Sequence, residues 1–364
     1  MAVDANGADL GPAEVAAGAA LAAAQGARVL LFGPAGELGD PPAGVELVDA
    51  PVSIAKARDP VGAARVTKDA SIVLATKAVA EGRAHALVCA GGTGAALAAG
   101  TFNIKRDRGI YRPALALPLP VPGNPVTLLD VGASAEARRE HLVQFAFMGA
   151  ALARIVLGVP RPRVGLLSNG EEDARGGTLV VEAGAELRER AAALGGPQGA
   201  PADSLGGRQG APAETIHPFF EFVGNVEGGD LVNGAADVVV TDGFTGNVAL
   251  KVLEGTSQVL LGAIRDVATR STRGRAGGLL LKRPLGTLRA EIDPEGVGGA
   301  YLLGLRRLGV VPHGRFSRHG FAQAILRARL GAREDIVSET HAALAAAGAL
   351  RRSPASAPDA RLPR

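Results

Sequence analysis

Residues 237–255 read DVVVTDGFTGNVALKVLEG. The run Asp237-Val238-Val239-Val240-Thr241 is β-branched without polar alternation, the pattern of a strand buried on both faces. From Val248 onward the apolar residues recur at helical spacing, so Asp242 to Asn247 is a strand-to-helix turn. In open α/β sheets ligands collect outside the carboxyl ends of the strands, and free N–H groups at the next helix start attract anions. Gly243 and Gly246 would let the backbone approach such a ligand. The bland alternative is a tight turn with Asp242 or Asn247 as the helix cap, and at this stage both stand.

The same grammar recurs along the chain. Residues 28–32 lead into Gly33-Pro34, 86–90 into Gly91-Gly92-Thr93-Gly94, 164–167 into Ser168-Asn169-Gly170, and 309–311 into Pro312-His313-Gly314. Short β-rich runs alternating with helical patterns indicate an α/β fold with a mostly parallel sheet covered on both faces. Residues 114–117 and 126–131 are joined by the proline-rich 118–125, too short for a crossover helix, so an antiparallel hairpin is expected inside that sheet. Residues 136–154 place Leu142, Phe145, Ala146 and Gly149 at i, i+3, i+4 and i+7, a helix whose stripe belongs to the core.

Two segments fall outside the pattern. LGGPQGAPADS (194–204) is followed directly by LGGRQGAPAET (205–215), a tandem duplication of Gly, Pro, Ala and Gln. Such composition buries too little apolar surface to order itself and is read as a surface insertion. The tail 351–364 is expected to be disordered. The remainder, 1–350, is expected to be a single α/β domain.

Bulk composition excludes several classes. Cys89 is the only cysteine of 364 residues, so one chain holds neither a disulfide nor a thiolate cluster, and a reducing, cytoplasmic setting is expected. Acidic Asp4 and Asp9 stand where a signal peptide has basic residues, and the best apolar stretch, 142–159, contains Gln144 and Arg154. A net charge of +3, with 2 Tyr, 10 Phe and no Trp, gives no argument for nucleic acid.

Five further motifs carry chemistry. DANGADLGP (4–12) sets Asp4, Asn6 and Asp9 around Gly7, as a metal or phosphate loop or as a capped helix start before Ala13. GGTGAALAAG (91–100) opens a helix with Gly91, Thr93 and Gly94, an anion cradle that is neither a Walker A loop nor GxGxxG. NGEEDARGGT (169–178) places Glu171, Glu172 and Asp173 near Arg175, or is a solvated helix start. HPFFEFVGNVEGGD (217–230) joins an aromatic cluster to Asn225 and Glu227. VVPHGRFSRHG (310–320) ends a strand at His313, and a lone histidine there is more often structural. G-x-S-x-G and H-E-x-x-H are absent, and no metal or cofactor is called for.

Taken in order, these pieces resemble the bacterial phosphate acyltransferase (PlsX) family from Ala2 to about Gly331. The resemblance rests on AVDANGAD.GP (family AVDAMGGDxGP), AGGTGAALAAG (AGNTGALLAAG), RPALA at 112–116 and DVGAS at 130–134 (DxGAN). It continues through EHLVQFAFMG, VGLLSNGEEDARG, FVGNVEGGDL, DVVVTDGFTGNVALKVLEG and GGAYLLGLRRLGVVPHG. It implies a doubly wound αβα sandwich, related in shape to phosphotransacetylases and isopropylmalate dehydrogenases. The implied reaction makes acyl phosphate from acyl–acyl carrier protein and inorganic phosphate for phospholipid synthesis, with no cofactor. A homodimer, a peripheral membrane contact through a helical tip (here about 256–288), and a downstream glycerol-3-phosphate acyltransferase are implied as well.

Phosphate is already a nucleophile at neutral pH, so the protein must mainly desolvate and orient it, stabilise the thioester oxyanion and release a thiol. On that basis Gly91, Thr93 and Gly94, and Gly243, Thr245, Gly246 and Asn247, are expected at the anion rim. Asp242, Arg175 and Lys251 are the expected catalytic groups. Asp4, Gly7, Asn225, Glu227 and His313 are further expected binding residues. The chain departs from the family pattern at Asn6, Ala8, Gly92 and Arg175, the last replacing a lysine, and arginine cannot transfer a proton. The alternatives are a phosphotransacetylase-like enzyme using acyl-coenzyme A, and a catalytically impaired, membrane-bound scaffold of lipid synthesis.

Overall fold

The computed structural model describes residues 1–122, 125–195, 219–291 and 293–351. The duplication from residue 196 and the tail from 352 therefore lie outside the described residues. In chain order the first elements are β1 (Ala2–Asp4), α1 (Pro12–Ala24), β2 (Val29–Gly33), α2 (Ala35–Leu38), β3 (Val45–Asp49), α3 (Pro60–Val66), α4 (Ser71–Ala80), β4 (Leu87–Cys89) and α5 (Thr93–Asn103). The middle comprises β5 (Ala114–Leu119), β6 (Val126–Leu129), α6 (Arg139–Ile155), β7 (Arg163–Leu167), α7 (Thr178–Gly195), β8 (Glu221–Val226), α8 (Asp230–Asn233) and β9 (Val238–Val240). The chain continues with α9 (Gly243–Thr269), α10 (Thr272–Glu291), β10 (Ala300–Leu303), β11 (Gly309–Val311), α11 (Arg318–Arg333) and α12 (Ile336–Ala346).

The eleven strands among the described residues form one sheet in the order β3-β2-β1-β4-β11-β10-β5-β6-β9-β7-β8. The expected hairpin is present, β5 pairing antiparallel with β6 and Ala116 opposite Leu129. The sequence reading missed β10, which is antiparallel to both β11 and β5. Its insertion gives the sheet two parallel halves that run in opposite directions: β3-β2-β1-β4-β11 and β6-β9-β7-β8. Their carboxyl ends therefore lie at opposite ends of the strands.

Each face of the sheet carries an apolar layer. On one side Val15, Phe145, Phe147, Leu187, Phe321 and Leu344 come from α1, α6, α7, α11 and α12. On the other, Ala64, Ile72, Val79, Ala96 and Leu231 come from α3, α4, α5 and α8. Strands sandwiched in this way need apolar residues on both faces, which is why Val238-Val239-Val240 reads without alternation. Of the aromatic cluster, Phe219 and Phe220 belong to this core, since Phe219 stacks on Phe147 at 6.2 Å and Phe220 meets it edge-on at 5.0 Å.

Helix α9 is seated by the loop after β6. Asp130 is fully buried, and its carboxylate accepts hydrogen bonds from the backbone of Leu115, Gly132, Ala133 and Ser134 and from the Ser134 hydroxyl. The folded loop then meets the helix start backbone to backbone. A Cβ at Gly243 would lie 2.2 Å from Ser134 O, and one at Gly246 would lie 1.9 Å from Asp130 O. Neither position can move away, because Thr241 and Asp130 bond through their backbones at 3.1 Å. Gly246→Ala is expected to destabilise the protein by about 3 kcal/mol or more, as overpacking against rigid backbone does. Chemical denaturation will measure this, whereas Gly255→Ala, with nothing near its Cβ, is expected to cost nothing.

Candidate active site at the switch point

The chain leaves β1 for β2 and β3 on one side and returns to β4 on the other. A crevice outside the carboxyl ends of β1 and β4 is the topological switch point, where open α/β sheets bind ligands. Two glycine loops form it. Gly7 (φ +113°) packs on Ala90 O, and Gly91 (φ +85°) packs on Gly7 O, so that a Cβ on either would lie within 2.7–2.8 Å of backbone. Gly92, in the left-handed region at φ 57°, starts α5 with no side-chain cap. The first N–H groups of that helix thus have no capping side chain, and Thr93 and Gly94 are exposed.

Beneath the loops lies a buried polar cluster. Asp4 Oδ1 accepts from the Asn6 backbone at 3.1 Å, and Cys89 Sγ lies 3.5 Å from Asp4 Oδ2 and 3.1 Å from Gly91 O. The Asn6 amide donates to Ala50 O at 3.0 Å and to Ser71 Oγ at 2.9 Å. Burial raises the Asp4 pKa to about 6, against the opposing pull of hydrogen bonds from Ser71, Asn6 and Cys89. Burial, with Asp4 beside it, holds the Cys89 thiol protonated.

The loop after β11 closes the far wall. Asp9 N donates to Gly314 O at 2.8 Å, tying the first loop to it. His313 Nδ1 accepts from the Arg315 backbone at 3.3 Å, which in the neutral ring leaves the proton on Nε2. Partial desolvation of the ring, and then the Arg315 charge, lower the His313 pKa. Glu254 and Lys251 of α9, and Asp9, lie within electrostatic range of the same ring. Lys251 itself pairs with Glu254 at 2.7 Å. Helix α9 thus starts at the opposite end of the sheet and reaches the crevice two to three turns later.

The expected residues consequently fall into two groups. Asp4, Gly7, Gly91, Thr93, Gly94, His313 and Lys251 gather at the switch point. Asp242, Gly243, Thr245, Gly246 and Asn247 lie instead at the carboxyl end of β9, with Arg175, Asn225 and Glu227 at the ends of β7 and β8. Asp242 caps α9, accepting from Phe244 N, Thr245 N and the Thr245 hydroxyl at 3.0, 2.9 and 2.6 Å. Gly243 and Gly246 are buried against backbone, and the side chain of Asn247 is close to Gly132.

The acidic run of residues 171–173 precedes α7 instead of starting it. Arg175 is exposed and pairs with Glu172 at 3.3 Å; Asn225 is buried and donates to the carbonyls of Glu172 and Arg175 at 2.8 and 3.3 Å. Asp230 accepts from the Glu227 backbone at 2.7 Å. The sequence reading gave no role to Ser71, Cys89 or the 50–59 segment. Only Asn6 carried a signal, as a departure from a pattern. Among the described residues no group of three or more His, Cys, Asp or Glu is placed to hold a metal ion.

The architecture is that of phosphotransacetylases. The chain superposes on a phosphotransacetylase from Streptococcus pyogenes with TM-score 0.56 at 15% identity, covering 92% of this chain and 94% of that one. EutD phosphotransacetylase from Staphylococcus aureus gives 0.52 at 14%, covering 91% and 93%. These likenesses establish the fold. The sequence is more specific. The family described as "Fatty acid synthesis protein" matches residues 1–197 and 212–339, and the break falls within the duplication. Phosphate acyltransferase from Anaeromyxobacter sp. (strain Fw109-5) is 39% identical over 359 residues, 96% of this chain and 92% of the relative. That of Thermobifida fusca (strain YX) is 40% identical over 334 residues, 90% and 86%. The chain belongs to the phosphate acyltransferase (PlsX) family of fatty acid synthesis proteins and is an acyltransferase.

The Asp4 shift has a sign that stability can test. A carboxyl whose folded pKa is raised above its unfolded value of 3.8 loses stability as pH climbs from about 4 to about 6. The loss amounts to roughly 3 kcal/mol at 1.36 kcal/mol per unit. Asp4→Asn is expected to rise in stability relative to the parent across that window and to level off above it, as urea unfolding at several pH values will show.

Proposed function

We propose that this acyltransferase joins inorganic phosphate to the acyl group of acyl–acyl carrier protein at the switch-point crevice, giving acyl phosphate and free carrier. The observation that carries the proposal is the meeting of uncapped α5 N–H groups, His313 and Lys251 at one opening. The backbone of Gly92, Thr93 and Gly94, aided by the helix dipole, takes the phosphate, and Gly7 lets the chain approach it. A phosphate oxygen attacks the thioester carbonyl carbon, and the carbonyl oxygen gains charge. Lys251 and the Nε2–H of His313 are the donors available to that oxygen. When the C–S bond breaks, the electron pair leaves on sulfur as a thiolate, which takes up the proton released by hydrogen phosphate, directly or through solvent. Asp4 acts through position, holding the first loop under the phosphate.

An open groove of about 580 Å³ begins at Lys251 and runs along Val252, Gly255, Thr256, Val259, Leu260 and Ala263 of α9. Its lining and size suit an acyl chain. Beyond it α9 and α10 form an arm with exposed Leu261, Ile264, Val267, Leu280 and Leu281 beside Arg265, Arg270, Arg273 and Arg275. No helix among the described residues is long and apolar enough to cross a membrane. An apolar and basic arm suits an anionic bilayer surface or a second copy of the chain. Such a contact would deliver acyl phosphate to a membrane-bound acyltransferase acting on glycerol 3-phosphate.

Hydroxylamine trapping of acyl phosphate from hexadecanoyl–acyl carrier protein and phosphate tests the reaction. His313→Ala and Lys251→Ala are each expected to lower turnover about 100-fold, within the range for loss of a proton donor or oxyanion donor. Asp242→Ala is expected to lose about 1 kcal/mol of stability and keep its turnover, as a cap should. Silence of the parent protein with the carrier substrate, beside activity with acyl-coenzyme A, would overturn the choice of donor. In flotation assays, Leu261→Asp/Ile264→Asp is expected to abolish binding to anionic vesicles. Unchanged flotation would overturn the membrane role of the arm.

A further inference from the structure

The segment 50–59 crosses from β3 over the carboxyl end of β1 and forms the outer rim of the crevice. Three contacts fix it there. The buried Asn6 amide holds Ala50 O, Ser71 N donates to Val52 O at 2.9 Å, and Ala55 lies against both Gly7 and Gly92. At Gly92 the fit is tight: a Cβ there would be 3.0 Å from Ala55 Cα and 3.3 Å from its carbonyl oxygen. Pro60, the first residue of α3, presses on Gly94 in the same way. The segment therefore cannot drift from the phosphate loop, and Lys56 and Arg58 are carried at the mouth.

Both side chains are exposed, and neither has an ion-pair partner among the described residues. The acid beside them, Asp59, is occupied in capping α3, accepting from Gly62 N at 2.9 Å. Arg315, on the loop after β11, is also exposed and has no ion-pair partner among the described residues. Ile54, the large apolar residue of the segment, is buried, so the rim offers charge and no apolar anchor. Exposed cations held at a mouth recognise and steer a large acidic partner better than a small anion, which needs enclosed donors.

We propose that the 53–58 rim is the docking surface for the protein portion of the thioester donor, with Lys56 and Arg58 meeting carboxylates of an acidic carrier. This rests on the carrier-bound thioester being the substrate. It assigns the carrier to the rim and leaves the arm to the bilayer or a second copy.

The test is the charge-reversed variant Lys56→Glu/Arg58→Glu in the full chain, with the arm variant Arg270→Glu/Arg273→Glu beside it. Fluorescence anisotropy with labelled holo-acyl carrier protein is expected to show about tenfold or greater weakening for the rim variant only. Its KM for hexadecanoyl carrier protein should rise in step, with kcat within about twofold and with the salt dependence of kcat/KM flattened. Hexadecanoyl N-acetylcysteamine, which has no protein portion, should be turned over within about twofold of the parent rate. Carrier affinity unchanged at the rim, weakened only at the arm, or lost equally with the small thioester would overturn the proposal. A parent protein that binds carrier through Lys56 and Arg58 but turns over neither donor would uphold the docking surface and sink the reaction.

Discussion

The structure depends on one buried carboxylate. Asp130 accepts five hydrogen bonds with no bulk water in reach, and this fixes the loop after β6 as a rigid surface. Against that surface Gly243 and Gly246 allow α9 to dock at backbone contact. The consequence is felt far away, because a helix rises about 1.5 Å per residue and keeps its direction. Its seat at one end of the sheet brings Lys251 and Glu254 within electrostatic range of His313 at the other, and sends the rest of the helix out as an arm. Removal of either glycine's freedom would disturb the crevice without touching it.

Two glycine-rich turns of the chain look alike in sequence and differ in how their donors are satisfied. At Asp242 the donors of the helix start are taken by the capping carboxylate, and the glycines are filled by neighbouring backbone. At Gly92 no side chain caps the helix, and Thr93 and Gly94 face solvent. An anion site needs unsatisfied donors, and the second turn leaves its first helical N–H groups without a capping side chain where the first does not. The distinction is one of hydrogen-bond accounting.

The departures from the family pattern acquire physical meaning. Gly92 adopts a left-handed conformation, which glycine and asparagine both tolerate, so its exchange with the family's asparagine keeps the backbone. Asn6 is no defect in a loop: its amide ties the 50–59 segment and Ser71 to the first strand. Arg175 is exposed, paired with Glu172, and at the end of the sheet opposite the crevice.

The sequence by itself determined the α/β class, buried strands such as β9 and the β5–β6 hairpin, because runs such as Val238-Val239-Val240 and the short link 118–125 are local signals of period and length. It also marked the glycine-rich turns at 91–94, 168–170 and 242–247. What it could not decide was which turns share an opening. That follows from β10, a four-residue strand whose antiparallel insertion sends the two halves of the sheet in opposite directions. Residues grouped by motif style, such as Asp242 and Lys251, were thereby separated to opposite ends, while Asp9, Lys251 and His313 were brought together from three distant parts of the chain. Strand direction is set by pairing between residues far apart in sequence, and only the tertiary structure holds that information.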